Sequence, residues 1–234
     1  SWTNFQQRQA EEWTPGYTTG QSDLIQAYRL YTLALAGKPA LGAMNRMKER
    51  DNSTAAQWRL ALAYVVAGHE AEAQKLIGGL STEVKNYREL GYTFGSQQRD
   101  QAMILETLVR LGDNEKAFVL LKDIAEYMGN ADNWMSTQTT AYTLMGIAKY
   151  AEKYALNQKM DVKVKVNNRE VPLSSESAIA QIFLQSPDQP QQISVENSGA
   201  SPVYVRLISH GVPLTGEEHE SARNINLTVR YTNA

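Results

Sequence analysis

The sequence predicts an α plus β protein in two domains, in which helical hairpins are followed by an antiparallel β-sandwich. Apolar residues recur at helical spacing over residues 1–156 and then alternate with polar residues over residues 157–234. The first pattern places apolar side chains on one face of a helix, and the second places them on one face of a strand. Turn residues separate the short alternating segments, which is typical of antiparallel sandwiches.

In the helical half, a complete helix is predicted from Ser22 to Gly37, with Ser22 or Asp23 as its N-cap. Similar junctions at Gly37, Gly68 and Gly112 each close one helix and open the next. Glycine at such junctions favours αα-hairpins, whereas the unequal spacing of the three glycines disfavours a strict tetratricopeptide array. The remaining predicted helices span residues 40–50, 53–67, 69–78, 99–111, 114–128 and 137–154.

In the second half, Val162, Val164 and Val166 alternate with polar residues, which predicts a half-buried strand. The pair Asn167-Asn168 then predicts a tight turn. Five short strands with turn residues between them favour a sandwich. The other four predicted strands are Ala178–Leu184, Gln192–Glu196, Val203–Ser209 and Asn224–Tyr231.

Composition and charge disfavour several functional classes. Of the 234 residues, 42% are hydrophobic and 21% are charged, as in ordinary globular proteins. With 23 Lys and Arg against 25 Asp and Glu, there is no basic surplus for nucleic-acid binding. The absence of cysteine excludes disulfides, thiolate nucleophiles and Cys-rich zinc sites. No apolar run reaches the roughly 20 residues of a membrane span, and the start at Ser1 leads us to expect a piece of a longer chain.

The sequence lacks the usual catalytic and metal-binding motifs. His69, His210 and His219 have no His-Glu-x-x-His spacing, and no P-loop, Rossmann or Gly-x-Ser-x-Gly pattern occurs. The acidic segment 217–220 favours a solvated loop over a metal site. Adjacent carboxylates at 11–12 point in different directions on a helix, which favours solvated surface over a glycosidase pair. We predict no cofactor, no metal and no enzymatic activity; the alternative is an α/α-barrel carbohydrate-active enzyme.

One stretch of the helical half carries a family resemblance. Residues 134–151, which begin Trp-Met-Ser-Thr-Gln-Thr-Thr, resemble the Ser-Thr-Gln helix of the alpha-2-macroglobulin family. Ser22–Gly42 and Met44-Asn45-Arg46 resemble a helical hairpin of its bacterial members. The resemblance implies that residues 1–156 are part of a thioester-type α/α toroid domain and that residues 157–234 are a macroglobulin- or CUB-like sandwich segment. The order of helices before strands agrees with that family.

The resemblance also implies a function, that of a non-enzymatic protease trap in the periplasm or at the cell envelope. In such a trap a protease cuts a bait region, the molecule closes around it, and a Cys–Gln thioester can acylate it. Because this chain has no cysteine, the thioester lies upstream in the parent protein or the parent lacks one. The expected partner is a protease, and these residues are expected to house or position the thioester.

Candidate binding residues lie in connections between helices and at the start of the last predicted helix. Aromatic residues in loops are favoured contact residues, although those found here can also fill the ends of the helical domain. The resemblance places the start of the last helix near the thioester, although Ser136 or Thr137 can also be explained as its cap. A second interpretation is a scaffold that binds peptide or carbohydrate through these aromatics. The predicted binding residues are Trp13, Tyr17, Tyr92, Trp134 and Gln138.

Overall fold

The computed structural model describes residues 1–16, 22–91, 93–130, 132–154, 161–173, 179–184, 190–199, 203–208 and 211. The fold divides into two units, Ser1–Ser201 and Pro202–Ala234. All helices and strands described below belong to the first unit, and the described residues of the second form neither. The predicted domain boundary, between residues 156 and 157, falls outside the described ranges, so that division stays a prediction.

Eight helices precede the sheet within the described chain. Seven of them confirm predicted helices, and α1 was not predicted because its sequence is mainly polar and buries only Ala10. The side chain of Ser1 caps α1 by accepting a hydrogen bond from the Asn4 amide at 3.5 Å. The helices are α1 Trp2–Glu12, α2 Asp23–Leu35, α3 Leu41–Lys48, α4 Thr54–Val66, α5 Glu70–Ile77, α6 Gln97–Leu111, α7 Asn114–Gly129 and α8 Thr137–Tyr154.

The three junction glycines adopt the conformation that their sequence context predicts. Gly37, Gly68 and Gly112 have φ angles of 69°, 81° and 81°, in the left-handed region that side chains disfavour. After Gly112, the Asp113 side chain caps α7 by accepting from the Lys116 amide at 3.2 Å. Each junction therefore ends one helix and starts the next within a few residues, which produces the predicted hairpins.

The even-numbered helices form a row in which α2 packs on α4, α4 on α6 and α6 on α8. The Asp23 carboxylate at the start of α2 accepts from the Ser53 amide at the start of α4, at 2.6 Å. Ser96 Oγ, before α6, lies 2.8 Å from Thr139 Oγ1 in the first turn of α8. The four helices therefore run parallel, with their N-termini at one end of the row, and the odd-numbered helices are the return segments.

Buried apolar side chains form two clusters, one among α1 to α5 and one centred on α6, α7 and α8. Close packing of α8 on α6 depends on Gly146. A Cβ atom at this position would lie 3.2 Å from the Ala102 carbonyl oxygen and 3.3 Å from Leu105 Cδ2. Because one of these neighbours is helix backbone, a larger residue would push the two helices apart.

A three-stranded antiparallel sheet, in the order β2-β1-β3, follows the helices. Its strands are β1 Val162–Val166, β2 Arg169–Val171 and β3 Ile193–Asn197. Asn167 and Asn168 have φ angles of 49° and 65°, as a two-residue hairpin turn requires, which confirms the predicted turn. On the central strand, Val164 lies opposite Val171 on one side and Val195 on the other.

The predicted sandwich is not confirmed, since the described residues form one three-stranded sheet. The structure confirms the strands at Val162–Val166 and Gln192–Glu196, but residues 179–184 and 203–208 form no strand where Ala178–Leu184 and Val203–Ser209 were predicted. The apolar side chains of these segments are largely exposed. Alternation stabilises a strand only when a partner strand and a covering face are present, and the described residues supply neither here. The predicted strand Asn224–Tyr231 lies outside the described residues.

In the described part of the chain, every helix is too short or too polar to cross a membrane.

Candidate functional site

The residues between α5 and α6 include a small hairpin at positions 87–96, which we call the 87–96 loop. Arg88 and Ser96 pair across it as an isolated antiparallel bridge. The Glu89 amide donates to the Gly95 carbonyl at 2.8 Å, and the Phe94 amide donates to the Gly91 carbonyl at 2.8 Å. The loop therefore satisfies part of its backbone internally, which is expected of a loop with one preferred conformation.

A buried ion pair at the start of α6 holds the 87–96 loop. The Arg99 and Asp100 side chains are 3% and 7% exposed, and Arg99 Nη2 lies 2.8 Å from Asp100 Oδ1. Arg99 also donates to the Thr93 carbonyl at 2.7 Å and to the Tyr87 hydroxyl at 3.1 Å. The Tyr87 hydroxyl donates to Asp100 Oδ2 at 2.5 Å, and burial together with this carboxylate raises the pKa of Tyr87 above its ordinary value.

Glu89 stabilises the loop through two further hydrogen bonds. Its Oε2 accepts from the Thr93 hydroxyl at 2.7 Å and from the Gly95 amide at 3.0 Å. Burial alone would raise the pKa of Glu89, but the hydrogen bonds from Thr93 and Gly95 lower it overall. Only glycine fits at position 95, because a Cβ atom there would lie 2.7 Å from the Tyr87 hydroxyl oxygen.

The start of α8 is bonded to the same loop. The Gln138 side-chain nitrogen donates to the carbonyl oxygens of Thr93 at 2.8 Å and Phe94 at 3.2 Å, in the amide orientation that satisfies both of its ends. Ser136 Oγ accepts from the Thr139 amide at 3.1 Å, which confirms the predicted cap. With the contact between Ser96 and Thr139, these bonds join the loop and the start of α8 into one rigid surface.

Three exposed side chains stand on this surface. The Trp134 indole is 59% exposed, and the Arg88 guanidinium carbon lies 3.8 Å above the centre of its ring, in a stacked cation–π contact. Phe94 is 50% exposed and has a φ angle of 48°, which is rare for a bulky residue. We refer to Arg88, Phe94 and Trp134 as the platform. Strained backbone in a hydrogen-bonded loop is an observation that points to function.

The structure brings together two of the predicted binding residues. Trp134 is part of the platform, and Gln138 lies beneath it and holds the loop backbone. Trp13 is partly buried and packs against the core of the first helices, with the Arg50 guanidinium 5.8 Å from its ring centre. Tyr17 and Tyr92 lie outside the described residues. The five positions therefore do not all form one described site.

Sequence reasoning missed Arg88, Arg99 and Asp100. One signal was present for the last two, since an adjacent arginine and aspartate stand one residue before the apolar run Ala102–Leu105. Charged residues in a stretch that is otherwise buried are usually paired. The stacking of Arg88 on Trp134 had no such signal, because it joins residues from two separate connections.

A second charged cluster lies inside the row of helices. The Arg59 and Glu106 side chains are 1% and 6% exposed and are joined at 3.1 Å. Tyr31 donates to Glu106 Oε1 at 2.9 Å, and burial, followed by this carboxylate, raises the pKa of Tyr31. Tyr28 and Tyr142 complete an aromatic cage, with ring centres 5.5 Å and 5.8 Å from the Arg59 guanidinium carbon.

This interior cluster joins helices rather than presenting a surface. Tyr28 and Tyr31 are on α2, Arg59 on α4, Glu106 on α6 and Tyr142 on α8. Within the described chain, Arg59 Nη2 has no hydrogen-bond acceptor, and the surrounding aromatic faces stabilise its charge instead. Its contacts are those of a scaffold.

A cleft of about 410 Å³ lies between α3, α4 and α5, lined in part by Asn45, Tyr64 and His69. Lys48 and Glu72 form an ion pair across it at 2.9 Å. Among the described residues, no group of three or more His, Cys, Asp or Glu side chains is placed to hold a metal ion. The cleft offers no arrangement of groups with an evident reaction.

The parallel row of helices, joined by hairpins, places the chain among proteins built from α-hairpins. Comparison with solved structures shows which of these proteins it is similar to. Salmonella alpha-2-macroglobulin reacted with methylamine is similar to this chain, with a TM-score of 0.54 and 20% identity over 83% of this chain and 12% of that one. Escherichia coli alpha-2-macroglobulin activated by porcine elastase gives a TM-score of 0.51 and 17% identity over 84% of this chain and 17% of that one. A native E. coli structure from domain MG7 to the C-terminus gives a TM-score of 0.51 and 18% identity.

These likenesses confirm the resemblance to bacterial alpha-2-macroglobulins at the level of the fold. The chain spans only 12% to 30% of the length of these solved structures. No protein-family model and no curated protein matches the chain.

Proposed function

We propose that this chain is part of a bacterial alpha-2-macroglobulin-like protease trap. The observation that carries the proposal is the likeness in fold to bacterial alpha-2-macroglobulins over 83% to 84% of the chain. Two of those structures are forms activated by porcine elastase and by trypsin, which supports proteases as the partners. The proposed trap is not an enzyme and acts in the periplasm or at the cell envelope.

In this proposal the two parts of the chain belong to two different domains of the trap. Residues 1–156 contribute hairpins to an α/α toroid of the thioester type, and residues 157–234 contribute to a β-sandwich. The parallel row of α2, α4, α6 and α8 supports the first part, and the three-stranded sheet supports the second. Because the chain contains no cysteine, any thioester belongs to another part of the parent protein.

The proposed working face of the helical part is the end that holds the N-termini of the parallel helices. Trp134 and Gln138, the residues singled out by the family resemblance, both lie there. The buried Arg99–Asp100 pair and the hydrogen bonds of Gln138 hold that face rigid. Rigid support around exposed aromatic residues is what a contact surface requires.

Protease trapping can be tested on the full-length product of the gene that encodes this chain. The protein is incubated with elastase, and the remaining elastase activity is measured on a small chromogenic peptide and on a large protein substrate. A trap predicts loss of activity on the large substrate with activity on the small one retained. If adding the protein leaves the elastase activity on the large substrate unchanged, the result would contradict the proposal.

The thioester part of the proposal has its own experiment. The intact mass of the full-length product is measured after methylamine treatment, with and without prior exposure to protease. A single methylamine adduct on a glutamine outside this chain supports a thioester that these residues house or position. If no adduct forms, the thioester role is wrong, and trapping without covalent attachment is decided by the elastase assay.

A second candidate function is favoured by the exposure of Trp134 and Phe94. Both aromatic side chains stand on a rigid loop, as they do in scaffolds that bind peptides or carbohydrates. Affinity electrophoresis of the full-length product in gels that contain soluble polysaccharides tests the carbohydrate form. Retardation that is lost in Trp134→Ala would support it, whereas unchanged migration in every gel would exclude a carbohydrate ligand of the kinds tested.

A further inference from the structure

The Arg88 side chain is an exposed cation without an anionic partner in the part of the chain that the structure describes. Its guanidinium carbon lies over the Trp134 ring, 3.8 Å from the ring centre, and the side chain takes part in none of the ion pairs found there. Arg88 is exposed, and a guanidinium that stacks on an aromatic ring keeps its N–H groups at its edge, where they can still donate. A guanidinium edge held in one plane matches the two oxygens of a carboxylate.

The acidic residues of the loop and of the start of α6 are already engaged. Glu89 accepts hydrogen bonds from Thr93 and Gly95. Asp100 is buried against Arg99 and Tyr87. Neither carboxylate can turn towards Arg88 without giving up these bonds. Within the described ranges, no ion pair therefore neutralises the charge of Arg88, which can meet a group from outside.

The surroundings of Arg88 also favour an anion. α6 and α8 both begin beside the 87–96 loop, as the contact between Ser96 and Thr139 shows. The N-terminal ends of helices carry a partial positive charge, and here two such ends lie side by side. This field adds to the charge of Arg88 and favours a negative ligand group.

The rest of the platform is apolar. Trp134 and Phe94 expose aromatic rings, and Leu90, on the same loop, is 81% exposed. Exposed aromatic residues next to an arginine are the composition typical of protein-binding hot spots. These side chains are exposed on a hydrogen-bonded loop, and an exposed apolar surface fits an extended segment better than a small molecule, which usually binds in a concave pocket.

We propose that the platform binds an extended protein segment in which an aspartate or glutamate stands beside an aromatic or aliphatic residue. The carboxylate pairs with the edge of the Arg88 guanidinium, and the apolar side chain packs on Trp134 and Phe94. The proposal deepens the proposed function, since it rests on the platform being a contact face of the trap and states the chemistry of what it contacts.

A peptide-display selection on the full-length product tests this specificity. A random library is selected in parallel against the wild-type protein and against Arg88→Gln. Peptides that are enriched on the wild type alone are expected to place an acidic residue beside an aromatic or aliphatic one. Absence of such peptides, or equal enrichment on both proteins, would overturn the proposal.

The strongest peptide is then measured by fluorescence polarisation. Replacing its acidic residue by the amide, or Arg88 by glutamine, is expected to weaken binding about tenfold, which corresponds to one charge-assisted contact. Both changes together are expected to cost little more than either alone, because they remove the same contact. Additive losses would overturn the proposed pairing.

The chain offers a matched control for these variants. Arg8 lies over the ring of exposed Phe5 on α1, with its guanidinium carbon 5.8 Å from the ring centre. Arg8→Gln removes the same charge from a similar contact and is expected to leave peptide binding unchanged. Failure of the elastase assay with peptide binding intact would refute the trap but not the specificity, and the reverse outcome would refute only the specificity.

Discussion

Two buried arginine–carboxylate pairs in this molecule have the same chemistry and different tasks. Arg59 and Glu106 lie on neighbouring helices, and their remaining contacts are with side chains of α2, α6 and α8. Arg99 and Asp100 lie next to each other on one helix, and their remaining contacts are with Thr93 and Tyr87 of the 87–96 loop. The first pair therefore positions helices, and the second positions a surface.

Breaking the interior pair gives the largest expected effect. Glu106→Gln keeps the shape of the side chain but leaves the Arg59 charge buried without its anion, which costs about 3–5 kcal/mol of unfolding free energy. Urea unfolding followed by circular dichroism measures the loss. The control is Glu152→Gln, which breaks an exposed pair with Lys149 and costs less than about 1 kcal/mol. A loss for Glu106→Gln as small as that of the control would contradict the scaffold role.

Breaking the pair below the loop is expected to act locally. Asp100→Asn removes the charge that Arg99 and Tyr87 share and costs about 1–3 kcal/mol, concentrated in the 87–96 loop. Hydrogen exchange is expected to accelerate at the Glu89 and Gly95 amides while the amides of α2 keep their protection. The opposite distribution, with α2 opened and the loop protected, would show that the two pairs do not divide their tasks in this way.

Gly146→Ala tests whether the position of α8 depends on close packing as well as on the charged cluster. The added methyl group meets the Ala102 carbonyl and Leu105 and is expected to cost about 1–3 kcal/mol. Gly129→Ala, at the last residue of α7, is the control, since a Cβ there meets nothing within 4 Å and the helix-forming advantage of alanine is small at a helix end. Thermal melts are expected to show a lower melting temperature for Gly146→Ala and little change for Gly129→Ala, and equal shifts would contradict the close approach of α6 and α8.

The smallest expected effect concerns a partly exposed ion pair, which sharpens the contrast with the two buried ones. Hydrogen bonds from Lys48 and Lys75 lower the pKa of Glu72 to about 2 from its ordinary value of 4.5. The stabilisation is therefore present above pH 4.5 and lost as the pH falls towards 2. Glu72→Gln is expected to lower the melting temperature slightly and by the same amount at pH 6 and pH 8, and to flatten its pH dependence between pH 4.5 and 2. An unaltered slope below pH 4.5 would contradict the assignment.

The helical part of the fold was predictable because its signals are local. Gly37, Gly68 and Gly112 mark the ends of helices through their own backbone preference. Ser136 caps α8 through a hydrogen bond to an amide only three positions along the chain. The failures have the opposite origin. Residues 179–184 alternate like a strand, but whether they pair depends on partners far along the chain.

The candidate site shows the same limit. Trp134 and Gln138 were predicted from a resemblance within one segment, and both lie at the described site. Arg88 was missed because its contact with Trp134 joins residues that are 46 positions apart in the sequence. Trp13 was chosen for its place in a connection, yet it packs on the core. Sequence position identifies a loop, but only the packing shows which loops meet.

We propose that the platform is the working face of a protease trap, while the interior cluster is scaffold. The most direct test is elastase trapping by the full-length product that carries Arg88→Gln and Trp134→Ala, beside a control with Arg8→Gln and Phe5→Ala. If the platform is that face, the platform variant protects the large substrate less than the wild type does, at an unchanged melting temperature, and the control traps like the wild type. Wild-type trapping by both variants would contradict it.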